Sequence, residues 1–339
     1  MTELLYVSCA DALAIEILEL AADGALHRRT TVPVPVPGSA AAATSVPLAL
    51  SPDRTRLYAA VRAPPYPLAS FAVAPDGGLT LLGITDLPHA MAYITVAGGH
   101  LLSASYPGSL LASHPIGADG AAHGPASQVT ATPEKAHCIV ADPSGRFVYV
   151  PCLGGDVILH LILDQATGTL RPAGEGGVPV RPGAGPRHLR FGADGRFAYV
   201  VNELDATIDT YAFEPSTGAL ALCQTVATLP PGTEGRIAAA DLQVTPDGRF
   251  LYASERLTNI LSGWRIDAAS GLLSPIGTVA SEAGPRGFAI SPDGRFLLCA
   301  GQASHRVGVY AIDAATGILT PLGGLDVAAN PNWITFLGG

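Results

Sequence analysis

Basic, acidic and imidazole side chains outside any repeated motif mark the places where this chain could do chemistry. They stand in short segments such as EKAHC, GPRH, VNEL and SERL. The candidates are Arg62, Lys135, His137, Arg187, His188, Asn202, Glu203, Arg256, Arg286 and Gln302. Arginine forks suit a small anionic substrate and stabilise negative charge that develops on a carbonyl oxygen. A carboxylate or a histidine can transfer protons.

Other kinds of site lack their motifs. The chain contains no nucleophile elbow around a serine, no His-Glu-x-x-His segment and no glycine-rich phosphate loop. Its five cysteines are far apart and lack the spacing of a metal site, so we interpret them as buried free thiols. Glu203, Asn202 and Glu255 are oxygen donors for calcium, but so few carboxylates near one axis disfavour such a site. We expect neither a metal nor another cofactor.

Composition excludes several partners. The 339 residues carry 19 Lys plus Arg against 28 Asp plus Glu, a formal charge of −9, which disfavours nucleic acid as a ligand. No apolar run reaches the roughly 18 residues of a membrane span. The N-terminus MTELLYVSCA lacks the basic region of a secretory signal. The sequence predicts a cytoplasmic protein without a membrane partner and leaves its oligomeric state open.

The elements that must position the candidates come from an internal repeat. Successive copies lie roughly 45 to 50 residues apart, a period typical of propellers. The clearest copies are SPDRTRLYAAV, DPSGRFVYVPC, GADGRFAYVVN, TPDGRFLYASE and SPDGRFLLCAG. An Asp-Gly pair between two apolar runs indicates a hairpin, and two further apolar stretches follow each copy. The repeated unit is therefore four short antiparallel strands.

Seven inner strands can be counted along the chain. They are VPLAL, AYITV, CIVAD, HLRF, DLQV, FAIS and WITF. The C-terminal WITF has no hairpin partner after it, and LLYVS near the N-terminus has none before it. Pairing these two strands closes a ring without an unpaired inner edge. We predict an all-β, seven-bladed β-propeller, a single domain over residues 1–339, with the terminal strands sharing one blade.

Propeller geometry sorts the polar residues by face. The start of each inner strand and the end of its neighbour lie at one mouth of the ring, opposite the Asp-Gly turns. The candidate residues fall at that mouth, and loops on a rigid scaffold commonly carry sites. Arginines that recur in the turns are interpreted as structural, namely Arg56, Arg146, Arg196, Arg249 and Arg295.

The motifs GPRH, VNEL, PDGRF, GPRGF, GQASH and NPNW, in this order, resemble the lactonase family of seven-bladed propellers. That family includes propeller-type 6-phosphogluconolactonases and carboxy-muconate cyclases. The resemblance implies metal-independent catalysis by one His, one Glu and two Arg. By position, these catalytic residues correspond to His137, Glu203, Arg187 and Arg256. The predicted substrate-binding residues are Lys135, His188, Asn202, Arg286, Gln302 and Arg62.

Three functional hypotheses follow. The first is a lactonase that hydrolyses a sugar lactone, 6-phospho-glucono-1,5-lactone to 6-phosphogluconate, in the pentose phosphate pathway. The second keeps the site but lactonises or isomerises a muconate or an unphosphorylated sugar acid. The third is a non-catalytic propeller that serves as a binding platform. Polar residues at an axial mouth, rather than a broad apolar patch, argue against the third.

Three places depart from the family pattern. The stretch 31–47 is rich in Pro and Ala, Tyr93 replaces a residue that is more often polar, and the segment 234–241 is longer than usual. We predict that all three lie on the substrate face and affect the identity of the substrate rather than the fold.

Overall fold

The computed structural model describes residues 2–38 and 42–338. In these ranges the fold contains no helix and consists of seven four-stranded antiparallel sheets. The described residues therefore include no helix that could cross a bilayer. The seven-bladed β-propeller predicted from the sequence is confirmed.

Each blade has four strands, which lie side by side in order from the central channel to the rim. The innermost strands are β4 (Leu48–Leu50), β8 (Tyr93–Ala97), β12 (Val140–Ala141), β16 (Pro186–Phe191), β20 (Ala239–Val244), β24 (Pro285–Ile290) and β28 (Pro331–Phe336). The second strands are β1 (Glu3–Cys9), β5 (Arg56–Ala60), β9 (His100–Ser105), β13 (Phe147–Cys152), β17 (Phe197–Asn202), β21 (Phe250–Glu255) and β25 (Phe296–Gly301). The third strands are β2 (Ala14–Leu20), β6 (Pro67–Val73), β10 (Leu110–Pro115), β14 (Val157–Asp164), β18 (Thr207–Glu214), β22 (Ile260–Ile266) and β26 (Arg306–Ile312). The outer strands are β3 (Leu26–Pro33), β7 (Leu79–Asp86), β11 (Gln128–Ala131), β15 (Thr169–Pro179), β19 (Ala219–Ala227), β23 (Leu273–Ala280) and β27 (Leu319–Asp326).

The ring closes in the blade that joins the two ends of the chain. Strand β28 pairs antiparallel with β1, with Leu5 opposite Phe336 and Ser8 opposite Trp333. The predicted sharing of one blade by the terminal strands is confirmed. Each of the seven inner strands thus has a partner on one side, and its other edge faces the central channel, where it is protected from pairing with another chain.

Hydrophobic clusters lie between neighbouring blades. One example joins Tyr199 and Val201 of β17 to Leu242 of β20 and Leu251 of β21. Both faces of each blade are therefore buried, as in stacked sheets. This explains why the second strands, such as FAYVVN, are apolar on both faces instead of alternating.

The repeated turn arginines join adjacent blades. The Arg196 guanidinium lies 5.3 Å from the centroid of the Phe197 ring, and its Nη2 donates to the Ala268 carbonyl 2.5 Å away in the next blade. Corresponding stacked arginines occupy three further turns, at Arg146, Arg249 and Arg295. Their structural interpretation is confirmed. Arg56 differs, because it begins β5 and donates to the adjacent Thr55 carbonyl.

The cysteines are unpaired in the described parts of the chain. Four are buried, namely Cys9, Cys138, Cys152 and Cys299. The expectation of a buried thiol is wrong for Cys223, which is exposed. The reason is that Cys223 is the extra residue of a β-bulge in the outer strand β19, where the side chains of residues 221–223 are all exposed.

Candidate active site

Two sets of side chains meet at the mouth opposite the Asp-Gly turns. Arg187 and Arg286 are the second residues of β16 and β24, and Asn332 is the second residue of β28. Glu203 and Arg256 directly follow β17 and β21. Because paired strands are antiparallel, these starts and ends lie at the same end of each blade.

Glu203 lies between two guanidinium groups. Its Oε2 is 2.8 Å from Arg187 Nε, and its Oε1 is 2.9 Å from Arg256 Nη2. Burial by itself raises the pKa of Glu203, but Arg187 and Arg256 lower it more, so the pKa falls below its usual value. Its side chain is 17% exposed. Glu203 is therefore an ionised carboxylate that solvent and substrate can reach.

Arg187 is anchored from several directions. It is only 1% exposed, and its Nη1 donates to the Ala240 carbonyl of the next blade and lies 3.1 Å from His188 Nε2. Its Nε approaches Glu203 as an ion pair without the alignment of a hydrogen bond. Burial, reinforced by Arg256, lowers the pKa of Arg187 to about 10, so it stays charged at neutral pH. These contacts fix Arg187 in place.

His188 forms a buried pair with Asp241 of the adjacent blade. Its Nδ1 lies 2.8 Å from Asp241 Oδ1, and both side chains are less than a tenth exposed. Burial, reinforced by Arg187, lowers the pKa of His188 to about 3. Burial raises the pKa of Asp241, but the hydrogen bond from His188 and the electrostatic interactions with His188, Arg190 and Arg187 together lower it to about 2. The pair is a neutral imidazole beside an ionised carboxylate.

Sequence reasoning missed Asp241. The signal was available, because DLQV occupies the same inner-strand position as HLRF. The first residues of these two segments, Asp241 and His188, therefore come side by side in neighbouring blades.

His137 precedes β12, and its backbone N–H donates to the Pro151 carbonyl at 2.9 Å. Its ring centroid lies 5.1 Å from that of His188 and 5.6 Å from that of Tyr106. The Nδ1 atom is buried and has no hydrogen-bond partner in the described chain. Burial and the neighbouring arginines lower the pKa of His137 well below 6.5, so the imidazole is neutral.

Arg286 and Arg62 add unpaired positive charge. Arg286 has no hydrogen-bond or ion-pair partner among residues 2–38 and 42–338, and burial beside other arginines lowers its pKa. Arg62 Nη1 donates to Ser45 Oγ at 3.3 Å, whereas its buried Nε has no partner in the same ranges. The mouth therefore holds more guanidinium groups than it has carboxylates to neutralise them.

A small cavity closes the base of the mouth. Its volume of about 10 Å³ is enough for one water molecule. It is lined by Ser45, Ala92, His137, Arg187, His188, Asp241, Arg286, Gly287, Asn332 and Trp333. Glu203 and Arg256 are outside this lining. A ligand larger than water has to bind in the open part of the mouth.

Comparison with known proteins places this chain in a family. The family model "Lactonase, 7-bladed beta-propeller" matches residues 5–336. The chain belongs to this lactonase family. The resemblance seen in the sequence and the enzyme class inferred from it, a lactonase, are therefore confirmed.

Relatives within the lactonase family carry related names. The chain is 37% identical to 6-phosphogluconolactonase of Serratia proteamaculans over 86% of its own length and 85% of that protein. A periplasmic gluconolactonase of Pseudomonas aeruginosa has a similar structure, with a TM-score of 0.90, 28% identity and 99% coverage of both chains. A putative 6-phosphogluconolactonase of Bacteroides fragilis gives a TM-score of 0.88, 26% identity and 98% coverage of both chains.

Three predicted binding residues lie away from the centre of the candidate site. Lys135 is exposed at the rim, with its Nζ 5.9 Å from the Tyr106 ring centroid. Gln302 Nε2 donates to Asn330 Oδ1 at 2.7 Å. Asn202 is fully buried, and its Nδ2 donates to two side chains of β18. The prediction that Asn202 binds substrate is corrected, because its side chain faces into the blade.

The oxygen donors considered for calcium do not converge. Glu203 is held by two arginines, and Asn202 bonds within its blade. Glu255 Oε2 instead accepts the backbone N–H of Leu257 at 3.0 Å. Within the described chain, no group of three His, Cys, Asp or Glu residues is arranged to hold a metal ion.

The departures from the family pattern have different positions. Residues 39–41 of the stretch 31–47 lie outside the described residues, but Ser45 reaches the cavity and bonds Arg62. The segment 234–241 contributes Asp241. Tyr93 lies deeper than expected, with its ring centroid 5.0 Å from that of Trp333. Placement of Tyr93 on the substrate face is wrong, because its hydroxyl accepts a hydrogen bond from Arg190 and its side chain lines the cavities of the opposite, turn-bearing face.

A larger cavity of about 480 Å³ opens on the opposite, turn-bearing face. Two of its charged side chains are already held by the protein. Arg190 Nε donates to Gln243 Oε1 at 3.2 Å, and Arg54 Nη1 donates to the carbonyls of residues 336, 337 and 338. The smaller cavity is lined by two residues that have a buried atom without a hydrogen-bond partner in the described chain, His137 Nδ1 and Arg187 Nε, which makes that mouth the better candidate despite its size.

The neutral buried histidines predict loss of stability in acid. His188 and His137 have folded-state pKa values below 6.5, near which each takes a proton in the unfolded chain. Below pH 6.5 the unfolded chain therefore binds more protons, so the free energy of unfolding decreases as pH falls. Each histidine contributes a slope of about 1.4 kcal/mol per pH unit.

Urea unfolding between about pH 7 and about pH 4 measures this slope. His137→Gln is expected to reduce the slope of the free energy of unfolding against pH by the contribution of one histidine, about 1.4 kcal/mol per pH unit. Equal slopes for the two proteins would contradict a neutral His137 in the folded state.

Proposed function

We propose that this protein hydrolyses a phosphorylated sugar lactone, 6-phospho-glucono-1,5-lactone, to 6-phosphogluconate. The supporting observation is the charge of the mouth. Arg187, Arg256 and Arg286 lie around one accessible carboxylate, that of Glu203, and a fourth guanidinium group, that of Arg62, lies near Arg286. The excess positive charge favours a substrate that brings more than one negative charge. A phosphate dianion supplies that charge.

Glu203 is our candidate for the general base. Its carboxylate is ionised and partly exposed, so it can accept a proton from an attacking water. In the free protein, its pairing with Arg256 makes it a weak base. An anionic substrate competes for Arg256 and thereby raises the basicity of Glu203. Proton transfer is thus favoured when substrate is bound.

His137 is our candidate for a neutral hydrogen-bond donor. A buried N–H without an acceptor costs more than a buried lone pair without a donor. The unpartnered Nδ1 therefore favours the tautomer that carries hydrogen on Nε2. A neutral Nε2–H can donate to the lactone oxygen without adding to the positive charge of the mouth.

The proposed reaction balances as follows. Water oxygen forms a bond to the lactone carbonyl carbon, and the water proton passes to Glu203. Arg256, Arg286 and His137 stabilise the negative charge on the carbonyl oxygen. The ring C–O bond then breaks, the leaving oxygen takes the proton from Glu203, and the open acid ionises.

Substrate preference tests this function. The ratio kcat/KM is expected to be at least about tenfold higher for 6-phosphogluconolactone than for plain gluconolactone, because one charge-assisted contact contributes about 1.5 to 3 kcal/mol. Initial rates of acid release from both lactones measure the ratio. Equal kcat/KM values for the two lactones would contradict the proposal that the substrate is phosphorylated.

Two alternatives remain as outcomes of the same assay. Conversion of a muconate, with no hydrolysis of either gluconolactone, would favour a lactonising or isomerising enzyme. Unchanged lactones at high protein concentration would favour a non-catalytic platform.

We also propose a cytoplasmic location, since phosphorylated sugars are retained inside cells; the periplasmic gluconolactonase is the contrasting case.

A further inference from the structure

A chain of contacts runs from the buried centre of the channel to the accessible carboxylate. Asp241 Oδ1 lies 2.8 Å from His188 Nδ1, and His188 Nε2 lies 3.1 Å from Arg187 Nη1. Arg187 Nε lies 2.8 Å from Glu203 Oε2. The four residues come from two adjacent blades, and positive, negative and neutral groups follow one another without a gap.

The carboxylate of Asp241 fixes the tautomer of His188. Asp241 is ionised and can only accept, so His188 Nδ1 must carry the hydrogen. The low pKa of His188 keeps the ring neutral, which leaves a lone pair on Nε2. Arginine has donors only, so Nε2 accepts a hydrogen bond from Arg187 Nη1. The opposite tautomer would place two donors against each other.

Asp241 is itself held rigidly. Its Oδ1 accepts the backbone N–H of Leu242 at 2.9 Å, and its Oδ2 accepts from Gln243 Nε2 at 3.3 Å and from the backbone N–H of Phe288 at 3.4 Å. Phe288 belongs to the following blade. The carboxylate therefore joins its own blade to the preceding and the following blades and cannot turn away from His188.

Both ring nitrogens of His188 are occupied, which removes it from direct contact with a substrate through hydrogen bonds. Its effect on the site has to pass through Arg187. Without the Nε2 acceptor, the Arg187 guanidinium keeps its bond to the Ala240 carbonyl but loses a second anchor that defines its plane. The Nε that faces Glu203 would then shift.

We propose that Asp241 and His188 are positioning residues that orient Arg187 and, through it, the Glu203 carboxylate. This inference rests on the proposed function, because it assigns the orientation of the proposed base. The pair lines the small cavity beneath the open mouth where substrate binds, so it acts on the rate of proton transfer more than on affinity.

Two substitutions of His188 separate positioning from simple packing. The amide of His188→Gln reaches the place of Nε2 and can accept from Arg187. The amide of His188→Asn reaches only the place of Nδ1, so it can bond Asp241 but leaves Arg187 without its acceptor. We expect kcat within about tenfold of wild type for His188→Gln and about 10²-fold lower for His188→Asn, with little change in KM.

Asp209→Asn is the matched control. Asp209 is fully buried in the same propeller and pairs with Arg181 at 2.7 Å, but it belongs to β18, outside the mouth. It is expected to lower thermal stability while leaving kcat unchanged. Equal kcat for the Gln and Asn variants, or wild-type kcat for His188→Asn, would overturn the proposal.

The tautomer provides a readout that does not depend on activity. In ¹⁵N NMR of the wild-type protein, the signal that disappears in His188→Gln should show hydrogen on Nδ1 and stay neutral at about pH 5. Hydrogen on Nε2 would overturn the proposal even if the Asn variant fails to fold. Wild-type inactivity on every lactone tested would contradict the proposed function, whereas the tautomer would still decide whether His188 can hold Arg187.

Discussion

Replacing Glu203 by Gln is expected to lower kcat by about 10²- to 10⁴-fold, the range typical of a lost general base. Gln keeps the shape and one acceptor for Arg256, but it cannot take a proton from water at neutral pH. The substitution also removes the negative charge between Arg187 and Arg256. An anionic substrate then meets a more positive mouth, so KM should stay the same or decrease.

Steady-state rates of acid release give kcat and KM for this variant. Thermal unfolding must accompany them, because the buried Arg187 loses its charged partner and stability is expected to fall. Asp209→Asn, which also removes a carboxylate paired with an arginine, controls for that loss. A folded Glu203→Gln protein with near wild-type kcat would exclude Glu203 as the base.

Arg286→Met is expected to lower kcat/KM for a phosphorylated lactone by roughly 10- to 100-fold, equal to about 1.5 to 3 kcal/mol for one charge-assisted contact. The same change should not lower thermal stability. Burial and the neighbouring Arg187, Arg62 and Arg256 all disfavour the charged state of Arg286, so an apolar side chain of similar length relieves repulsion. Activity and stability should therefore move independently.

Two further variants make this result specific. Arg286→Lys retains the charge but loses the two-pronged donor, so it should recover part of the lost kcat/KM. Arg171→Met removes an exposed arginine of the outer strand β15 and should change neither quantity. A large loss of stability in Arg286→Met, with activity reduced in proportion, would indicate a structural role instead.

The ring was predictable because it depends on periodicity. Copies such as TPDGRFLY and SPDGRFLL each specify a hairpin locally, and their number and spacing determine the count of blades. The lone strands at the two chain ends leave one consistent way to satisfy the inner edges. These properties are local or additive, so they can be read without knowing which side chains touch.

The position of the site was also predictable, whereas the state of each side chain was not. Antiparallel pairing places Arg187, Glu203 and Arg256 at one mouth wherever the ring closes. Burial of Arg187, the inward turn of Asn202 and the role of Asp241 depend on neighbours from other strands and blades. His188 and Asp241, for example, are separated by 53 positions in the chain yet share a hydrogen bond.

The sequence by itself determined that this chain forms a seven-bladed ring, that its basic and acidic residues share an axial mouth, and that it belongs with lactonases. Only the tertiary structure decided which of those residues are free and which are held. Among the residues that the structure describes, Arg286 has no hydrogen-bond or ion-pair partner, while Arg187 is enclosed by Ala240, His188 and Glu203. The physical reason is that charge and pKa depend on distances of a few ångströms between side chains of different blades, and packing of the closed ring sets those distances.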